Sequence, residues 1–114
     1  MKKNYREKYP LLYTNEHKKV EKRYKKALTE AQKAASLLKN QFGAEKVWLF
    51  GSLRNKDKFH IKSDIDLAEV GIPDERFYAA VGAINRGEFK IDLVDIKNCR
   101  KSIRKAIDKE GIII

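Results

Sequence analysis

The sequence predicts an α/β fold in which a small sheet is covered by helices. Three observations support this prediction. Segments with helical spacing of apolar residues alternate with short strand-like runs. The 114 residues are enough for one domain, and 42% hydrophobic and 37% charged residues with few Gly or Pro are typical of an ordered globular chain.

The first predicted element is a long amphipathic helix that begins near Thr14 and ends at Gly43. Residues 1–13 contain Pro10 and show no clear period, so they are predicted to form an N-terminal arm before a single domain over residues 14–114. The apolar positions of the helix recur at helical spacing: Val20, Tyr24, Ala27, Leu28, Ala31, Ala35, Leu38 and Phe42. These apolar residues form one face of the helix, which is therefore expected to pack against another part of the fold.

The remaining elements follow in alternation. Strands are expected over residues 47–50, 64–70, 89–96 and 112–114. A polar, basic stretch over residues 53–62 predicts a short helix and a loop between the first two strands. Helices are expected over residues 74–85 and 99–109, where apolar residues again recur at helical spacing.

The net charge of +10 is concentrated near the N-terminus, where residues 1–43 hold 12 Lys or Arg against 4 Asp or Glu. Such a segment attracts nucleic acid or an acidic protein surface, although a solvated helix face is the simpler interpretation. Nucleic acid is therefore a possible partner that ranks below a protein partner.

Cys99 is the only cysteine, so an intrachain disulfide is excluded. No run approaches the roughly 20 apolar residues of a membrane span, and the N-terminus lacks the apolar stretch of a secretory signal. The expected location is the cytoplasm.

Two carboxylates begin the second predicted strand. Asp64 and Asp66 are two residues apart, so they point to the same face of the strand, and Ile65 points to the other. Paired carboxylates repel one another unless a cation lies between them, and Mg²⁺ suits oxygen ligands. A two-metal site normally uses a further carboxylate. Asp92 in the third strand is the leading candidate, and Asp95, on the opposite face of that strand, is the competitor.

A glycine and a serine end the first predicted strand. At Gly51 the backbone can approach a phosphate closely, and free N–H groups with the Ser52 hydroxyl can bind anionic oxygens. Arg54 can add a charge-assisted contact to the same phosphates. Ser63 either orients Asp64 by a hydrogen bond or shapes the turn before it. Alone, each motif is an ordinary turn or polar strand end.

Together these motifs resemble the minimal nucleotidyltransferases of the DNA polymerase beta superfamily. The resemblance spans residues 44–114 and is carried by four segments: Phe50-Gly51-Ser52, Ser63-Asp64-Ile65-Asp66-Leu67-Ala68, Ile91-Asp92-Leu93-Val94-Asp95 and Ile107-Asp108-Lys109-Glu110-Gly111. It departs after Gly-Ser, where many relatives have Ala-Arg-Gly and this chain has Leu53-Arg54-Asn55-Lys56.

The resemblance implies a palm-like mixed sheet with the long helix preceding it. It implies Gly51 and Ser52 at the nucleotide phosphates, and Asp64, Asp66 and Asp92 as ligands of two Mg²⁺ ions, with Asp92 as general base. The reaction would transfer a nucleotidyl group, AMP if ATP is the donor, to a hydroxyl acceptor with release of pyrophosphate.

Minimal members of this kind resemble the antitoxin half of a two-component module whose toxin is a helical HEPN-domain ribonuclease. The resemblance thus implies a HEPN toxin as partner and a tyrosine of that toxin as acceptor. Two alternatives remain open: a non-catalytic module of the same fold that neutralises its partner by binding, and a nucleic-acid binder that uses the basic helix.

Overall fold

The computed structural model describes residues 10–54, 58–60 and 62–114. Most of the predicted N-terminal arm lies outside these residues. The first helix, α1 (Pro10–Phe42), begins four residues before the expected start at Thr14. Proline is well tolerated in the first turn of a helix, where its missing N–H has no partner to lose, so Pro10 starts the helix instead of preventing it.

The other elements follow in the predicted order. They are β1 (Lys46–Phe50), a 3₁₀ turn (Gly51–Arg54), β2 (Ile65–Val70), α2 (Asp74–Ile84), β3 (Ile91–Asp95), α3 (Lys101–Glu110) and β4 (Ile112–Ile113). Of the stretch over residues 53–62, where a short helix and a loop are expected, Leu53 and Arg54 belong to this 3₁₀ turn, and residues 55–57 and 61 lie outside the described residues. None of the helices in the described ranges has the length and apolar character that a membrane crossing requires.

The sheet is mixed, with the strand order β3-β2-β1-β4. Strand β1 is antiparallel to both of its neighbours, β2 and β4. Strands β2 and β3 are parallel, and α2 connects them in a βαβ crossover. The predicted α/β class with a mixed, palm-like sheet and a long N-terminal helix is confirmed.

Helices α1 and α2 cover one face of the sheet. The apolar stripe of α1 is rich in alanine, which lets the helix axis approach the strands closely. Its buried residues are Ala27, Ala31, Ala34, Ala35 and Leu38, and they share one core with Val47, Ile65, Leu67, Ile91 and Ala80. Helix α1 ends at a left-handed glycine: Gly43 has a φ of 86°, and the N–H of Ala44 donates back to the carbonyl of Leu38.

Helix α3 packs on the opposite face of the sheet. Its Ile107 forms a second, smaller core with Phe50 of β1 and Ala68 of β2. This core covers the part of that face around β1 and the far half of β2. The beginnings of β2 and β3 carry polar residues on the same face, and the acidic residues predicted from the sequence lie there.

Candidate functional site

Two of the predicted acids are direct neighbours across parallel strands. Asp66 of β2 is in register with Asp92 of β3. Neighbouring strands lie about 4.8 Å apart, and residues in register point to the same face, so the two carboxylates project side by side. Asp92 is half exposed, whereas Asp66 is more enclosed.

Asp64 completes the acidic group from just before β2. It lies two residues before Asp66 and is partly buried. The turn that leads into it is held by Ser63, whose hydroxyl oxygen accepts a hydrogen bond from the His60 N–H at 2.9 Å, while its own N–H donates to the His60 carbonyl at 2.9 Å. Ser63 is buried and shapes this turn, one of the two roles that the sequence left open for it.

The three acids influence one another electrostatically. The pKa of Asp66 is raised to about 6, first by burial and then by the negative charges of Asp92 and Asp64, against a smaller opposing effect of the Lys90 ammonium. A carboxylate that is harder to ionise because it is buried and has two other carboxylates near it marks a place where a cation is favourable.

Gly51 lies directly against Asp66. It follows Phe50, the partner of Asp66 in the β1–β2 register, and its φ is 77°. A Cβ at this position would lie 3.0 Å from the Asp66 Cγ and closer still to Oδ2. Glycine is therefore required at position 51 for two reasons: the backbone is left-handed, and the Asp66 carboxylate leaves no room for a Cβ.

The remaining residues predicted to contact a nucleotide are in the 3₁₀ turn after β1. Ser52 is partly buried in the same turn as Gly51. Arg54 ends the turn and is exposed to solvent. The turn thus places Ser52 and Arg54 directly after Gly51, which lies against Asp66. That Ser52 and Arg54 contact a nucleotide stays a prediction.

The competing acid, Asp95, has a different role. Its Oδ1 accepts a hydrogen bond from the Lys97 N–H at 2.9 Å, and its Oδ2 accepts one from the Asn98 side chain at 2.8 Å. Both carboxylate oxygens therefore shape the loop after β3. The odd offset from Asp92 places Asp95 away from the acidic group, as the alternation of the strand predicted.

Two residues near the site, Lys90 and Asn85, were not among the site residues predicted from the sequence. Lys90 places its Nζ 3.7 Å from Oδ1 of Asp92. The i, i+2 spacing in a strand could have revealed this pair. Asn85 binds the start of β3: its amide donates to the Ile91 carbonyl at 2.9 Å and its side-chain oxygen accepts from the Ile91 N–H at 2.8 Å. Asn85 thereby fixes the backbone one residue before Asp92.

Oxygen ligands alone make up the acidic group, which suits Mg²⁺. Within the described ranges no three His, Cys, Asp or Glu side chains are placed to hold an ion by themselves. Mg²⁺ is commonly held by one or two carboxylates together with substrate phosphates and water, so Asp64 and Asp66 beside the Gly51 turn fit such an ion. The site therefore fits a metal ion that arrives with a phosphorylated substrate.

Comparison with known proteins agrees with this reading of the fold. Residues 32–114 match the profile of the polymerase beta nucleotidyltransferase family. This match includes all strands, α2, α3 and each of the predicted site residues. A search of curated protein sequences found no match to this chain.

Solved structures of toxin–antitoxin complexes contain similar chains. One, described as a toxin–antitoxin with AMP-PNP, has a TM-score of 0.58 at 20% identity, over 75% of this chain and 69% of that one. A chain of the toxin–antitoxin MntA-HepT has a TM-score of 0.56 at 19% identity, over 75% and 69%.

A third similar structure is described as a tri-AMPylated Shewanella oneidensis HEPN toxin in complex with its MNT antitoxin. Its TM-score is 0.57 at 18% identity, over 76% of this chain and 70% of that one. These likenesses establish a shared fold. Because the family profile covers well over half of the sequence, including the acidic group and the Gly51 turn, the chain belongs to the polymerase beta nucleotidyltransferase family.

Proposed function

We propose that this protein is a Mg²⁺-dependent nucleotidyltransferase that moves AMP from ATP to a hydroxyl acceptor. The observation that carries the proposal is the register of Asp66 with Asp92 beside Gly51. It combines a carboxylate pair with a glycine turn at a strand end, a type of turn that can bind phosphate, and nucleotidyl transfer needs both.

Each residue of the site has a role in this reaction. The N–H groups of the Gly51 turn and the Ser52 hydroxyl bind phosphate oxygens of the nucleotide, and Arg54 adds positive charge at the rim. Asp64 and Asp66 would hold the metal, with Asp92 as the third ligand of a two-ion site. When bound, Mg²⁺ supplies charge stabilisation for the attacking and leaving oxygens.

Asp92 is proposed as the general base. It is half exposed at the edge of the acidic group, where an acceptor can approach, whereas Asp66 is enclosed by Gly51 and its neighbours. Its carboxylate would take the proton of the acceptor hydroxyl as the oxygen attacks the α-phosphate, and pyrophosphate would leave.

The acceptor is proposed to be a tyrosine hydroxyl of a HEPN-domain toxin, with this protein as the cytoplasmic antitoxin of a HEPN/MNT pair. Support comes from the similar chains in the MntA-HepT complex and in the complex with an AMPylated HEPN toxin. A complex crystallised with AMP-PNP supports ATP as donor.

A transfer assay tests the proposal. The protein is incubated with α-labelled ATP, Mg²⁺ and a candidate HEPN-domain toxin, and label on the HEPN protein is measured. We expect transfer by the wild type, and a loss of at least 100-fold in Asp64→Asn and in Asp66→Asn, because each removes a metal-binding charge. Asp74→Asn is the matched control, since Asp74 is exposed at the start of α2.

Two outcomes contradict parts of the proposal. Transfer that survives in both Asp→Asn variants would refute the metal assignment. A wild type that binds the HEPN protein and neutralises its toxicity without transferring label would instead identify the non-catalytic alternative, a binding module of the same fold.

A further inference from the structure

We propose that the exposed face of α1 binds the phosphodiester backbone of nucleic acid. This binding surface, the lysine stripe, consists of Lys18, Lys19, Lys22, Lys25 and Lys26. It is separate from the acidic group, so the proposal does not depend on nucleotidyl transfer.

The lysine stripe lies on the side of α1 that faces away from the sheet. Lys18, Lys22 and Lys25 follow one another at intervals of four and three residues and are exposed, whereas Ala27 and Ala31 are buried on the other side. Spacings of three or four residues correspond to about 5 to 6 Å along the helix. The ammonium groups therefore form a row that can follow consecutive phosphates of one strand.

These charges are not neutralised by the rest of the fold. Among the described residues, none of the five lysines of the stripe is in an ion pair. Neighbouring cations on the helix differ in this respect: Arg23 stacks 4.2 Å from the centre of the Phe89 ring and pairs with Glu88, and Lys33 pairs with Glu30. The stripe is thus the portion of the basic helix that remains available to a polyanion.

Two hollows in the protein surface lie beside the lysine stripe. A hollow of about 450 Å³ is lined by Lys25, Lys26, Thr29 and Lys33 on the helix, by Phe89 opposite them, and also by Glu30 and Glu88. A second hollow of about 250 Å³ is lined by Lys19, Lys22, Arg23 and Lys26 together with Glu88. Cations outnumber carboxylates in both hollows. Phosphate groups of a polynucleotide can therefore approach several ammonium groups at once.

The composition of this surface favours nucleic acid over protein. The cores of protein interfaces are enriched in aromatic residues and depleted of lysine. The large hydrophobic residues found exposed are Tyr78, Ile112 and Ile113, and none of them is in residues 17–42 of α1, the part of the helix whose side chains are described. A membrane surface is a poor alternative, because the apolar stripe of α1, with which an interfacial helix would insert, is already buried against the sheet.

The stripe also precedes the conserved domain profile, which begins at residue 32. The five lysines are therefore not part of the region that defines the family. A nucleic-acid surface at this position is an addition to the nucleotidyltransferase domain and need not affect its reaction.

Fluorescence anisotropy with three labelled probes tests the proposal: a 24-base-pair DNA duplex, an RNA duplex of the same sequence and the single-stranded RNA. We expect binding to at least one of them at 50 mM KCl. On the DNA duplex the slope of log Kobs against log salt should be about −4.5, since each phosphate contact contributes about −0.9 on B-DNA and the stripe has five lysines.

The test variant is the triple substitution Lys18→Gln, Lys22→Gln and Lys25→Gln, and its matched control is Lys101→Gln, Lys105→Gln and Lys109→Gln on α3. Both remove three charges from an exposed helix row, and glutamine keeps the helix propensity of lysine. We expect at least a tenfold loss of affinity and a shallower salt slope in the first, and a much smaller change in the second. Circular dichroism confirms that both variants fold.

Three results would overturn the proposal. The first is no binding of any probe by the wild type at 50 mM KCl. The second is an equal loss of affinity in both triple variants, which would show attraction by total charge without a defined surface. The third is displacement of the probe by polyglutamate, or by vesicles rich in phosphatidylserine, at a charge concentration equal to that of the nucleic acid.

Discussion

Gly51 packs against the carboxylate of Asp66, with the backbone of the glycine in the left-handed region at a φ of 77°. The contact joins the phosphate-binding turn to the acidic group. It arises because β1 and β2 are antiparallel, so the end of β1 meets the start of β2. The position of Asp66 is therefore set by a residue that has no side chain.

Replacement of Gly51 by alanine is expected to affect both stability and activity. The left-handed backbone and the displaced Asp66 carboxylate should lower the free energy of unfolding by about 1 to 3 kcal/mol. Nucleotide transfer should fall about 100-fold, since small displacements of catalytic groups have effects of that size. Urea denaturation and the transfer assay measure the two quantities.

Gly82→Ala is the matched control for that substitution. Gly82 is in the last turn of α2, and a Cβ there would meet nothing within 4 Å. Alanine should raise stability at this position by about 0.5 to 1 kcal/mol, because it is the better helix former. Equal effects at both glycines would show that the contact with Asp66 is unimportant.

The sequence predicted the composition of the site better than its arrangement. Alternation along β3 showed that only one of Asp92 and Asp95 could join Asp64 and Asp66, because the side-chain period of a strand is fixed. The contact of Gly51 with Asp66 could not be predicted, since it depends on the register between two strands that are distant in sequence.

Long-range side-chain contacts account for other differences. The Asn85 side chain that holds the start of β3 looks like an ordinary helix end in the sequence, and only the packing of α2 on the sheet brings it to Ile91. The predicted helix start at Thr14 is four residues later than the observed start at Pro10. The reason is that proline is excluded from a helix interior but is tolerated in the first turn. In both cases the sequence around the residue is compatible with more than one structure, and only the folded chain shows which one forms.

Removal of one charge from the acidic group should stabilise the protein when no metal is bound. Asp66→Asn removes the cost of burying this charge, which is the main reason that the pKa of Asp66 is raised, and it also relieves the repulsion from Asp92 and Asp64. At pH 8 with EDTA we expect a gain of about 1 kcal/mol, a modest figure because solvent screens this half-buried group. Addition of Mg²⁺ and AMP-PNP should stabilise the wild type and not the variant.

Asp74→Asn serves again as the control for that experiment, since Asp74 lies on α2, across the sheet from the acidic group. A variant at Asp66 that is less stable than the wild type in EDTA would contradict the repulsion between the carboxylates. Equal stabilisation of both proteins by Mg²⁺ and AMP-PNP would show that Asp66 does not take part in binding the metal.

Lys90 is expected to compete with a metal ion for Asp92. Its Nζ lies 3.7 Å from Oδ1 of Asp92, in a pair that is exposed on both sides. Exposed pairs contribute about 0.2 to 1 kcal/mol, so Lys90→Met should tighten metal binding by up to about fivefold. Mn²⁺ binding followed by electron paramagnetic resonance measures this directly, without the reaction.

Lys97→Met is the control for Lys90→Met, because Lys97 is exposed just beyond the other end of β3. The same total charge is removed, so a general effect of net charge would appear in both variants. Tighter Mn²⁺ binding in both, to the same extent, would count against a specific role of Lys90.

Glu69 should make the stability of the protein depend on pH. It is fully buried on the face of β2 covered by the helices, and its Oε2 accepts a hydrogen bond from the Ile72 N–H at 3.0 Å. Among the described residues its Oε1 has no hydrogen-bond partner. Burial, the largest cause, raises the pKa of this carboxyl above its ordinary value, because the charged form is poorly solvated there.

The sign of the effect follows from the direction of this shift. The folded protein binds the proton of Glu69 more tightly than the unfolded chain does, so this group favours folding at low pH. Its contribution is lost as the pH rises from the ordinary pKa of 4.5 through the raised pKa of the folded state. Glu69→Gln keeps an oxygen for the Ile72 N–H and removes the titration.

We therefore expect Glu69→Gln to gain stability relative to the wild type as the pH rises from 5 to 8 in urea denaturation. Glu75→Gln, at an exposed position in the first turn of α2, is the matched control and should follow the wild type across this range. If the difference between Glu69→Gln and the wild type did not change with pH, the buried carboxyl would have the same proton affinity in the folded and unfolded states.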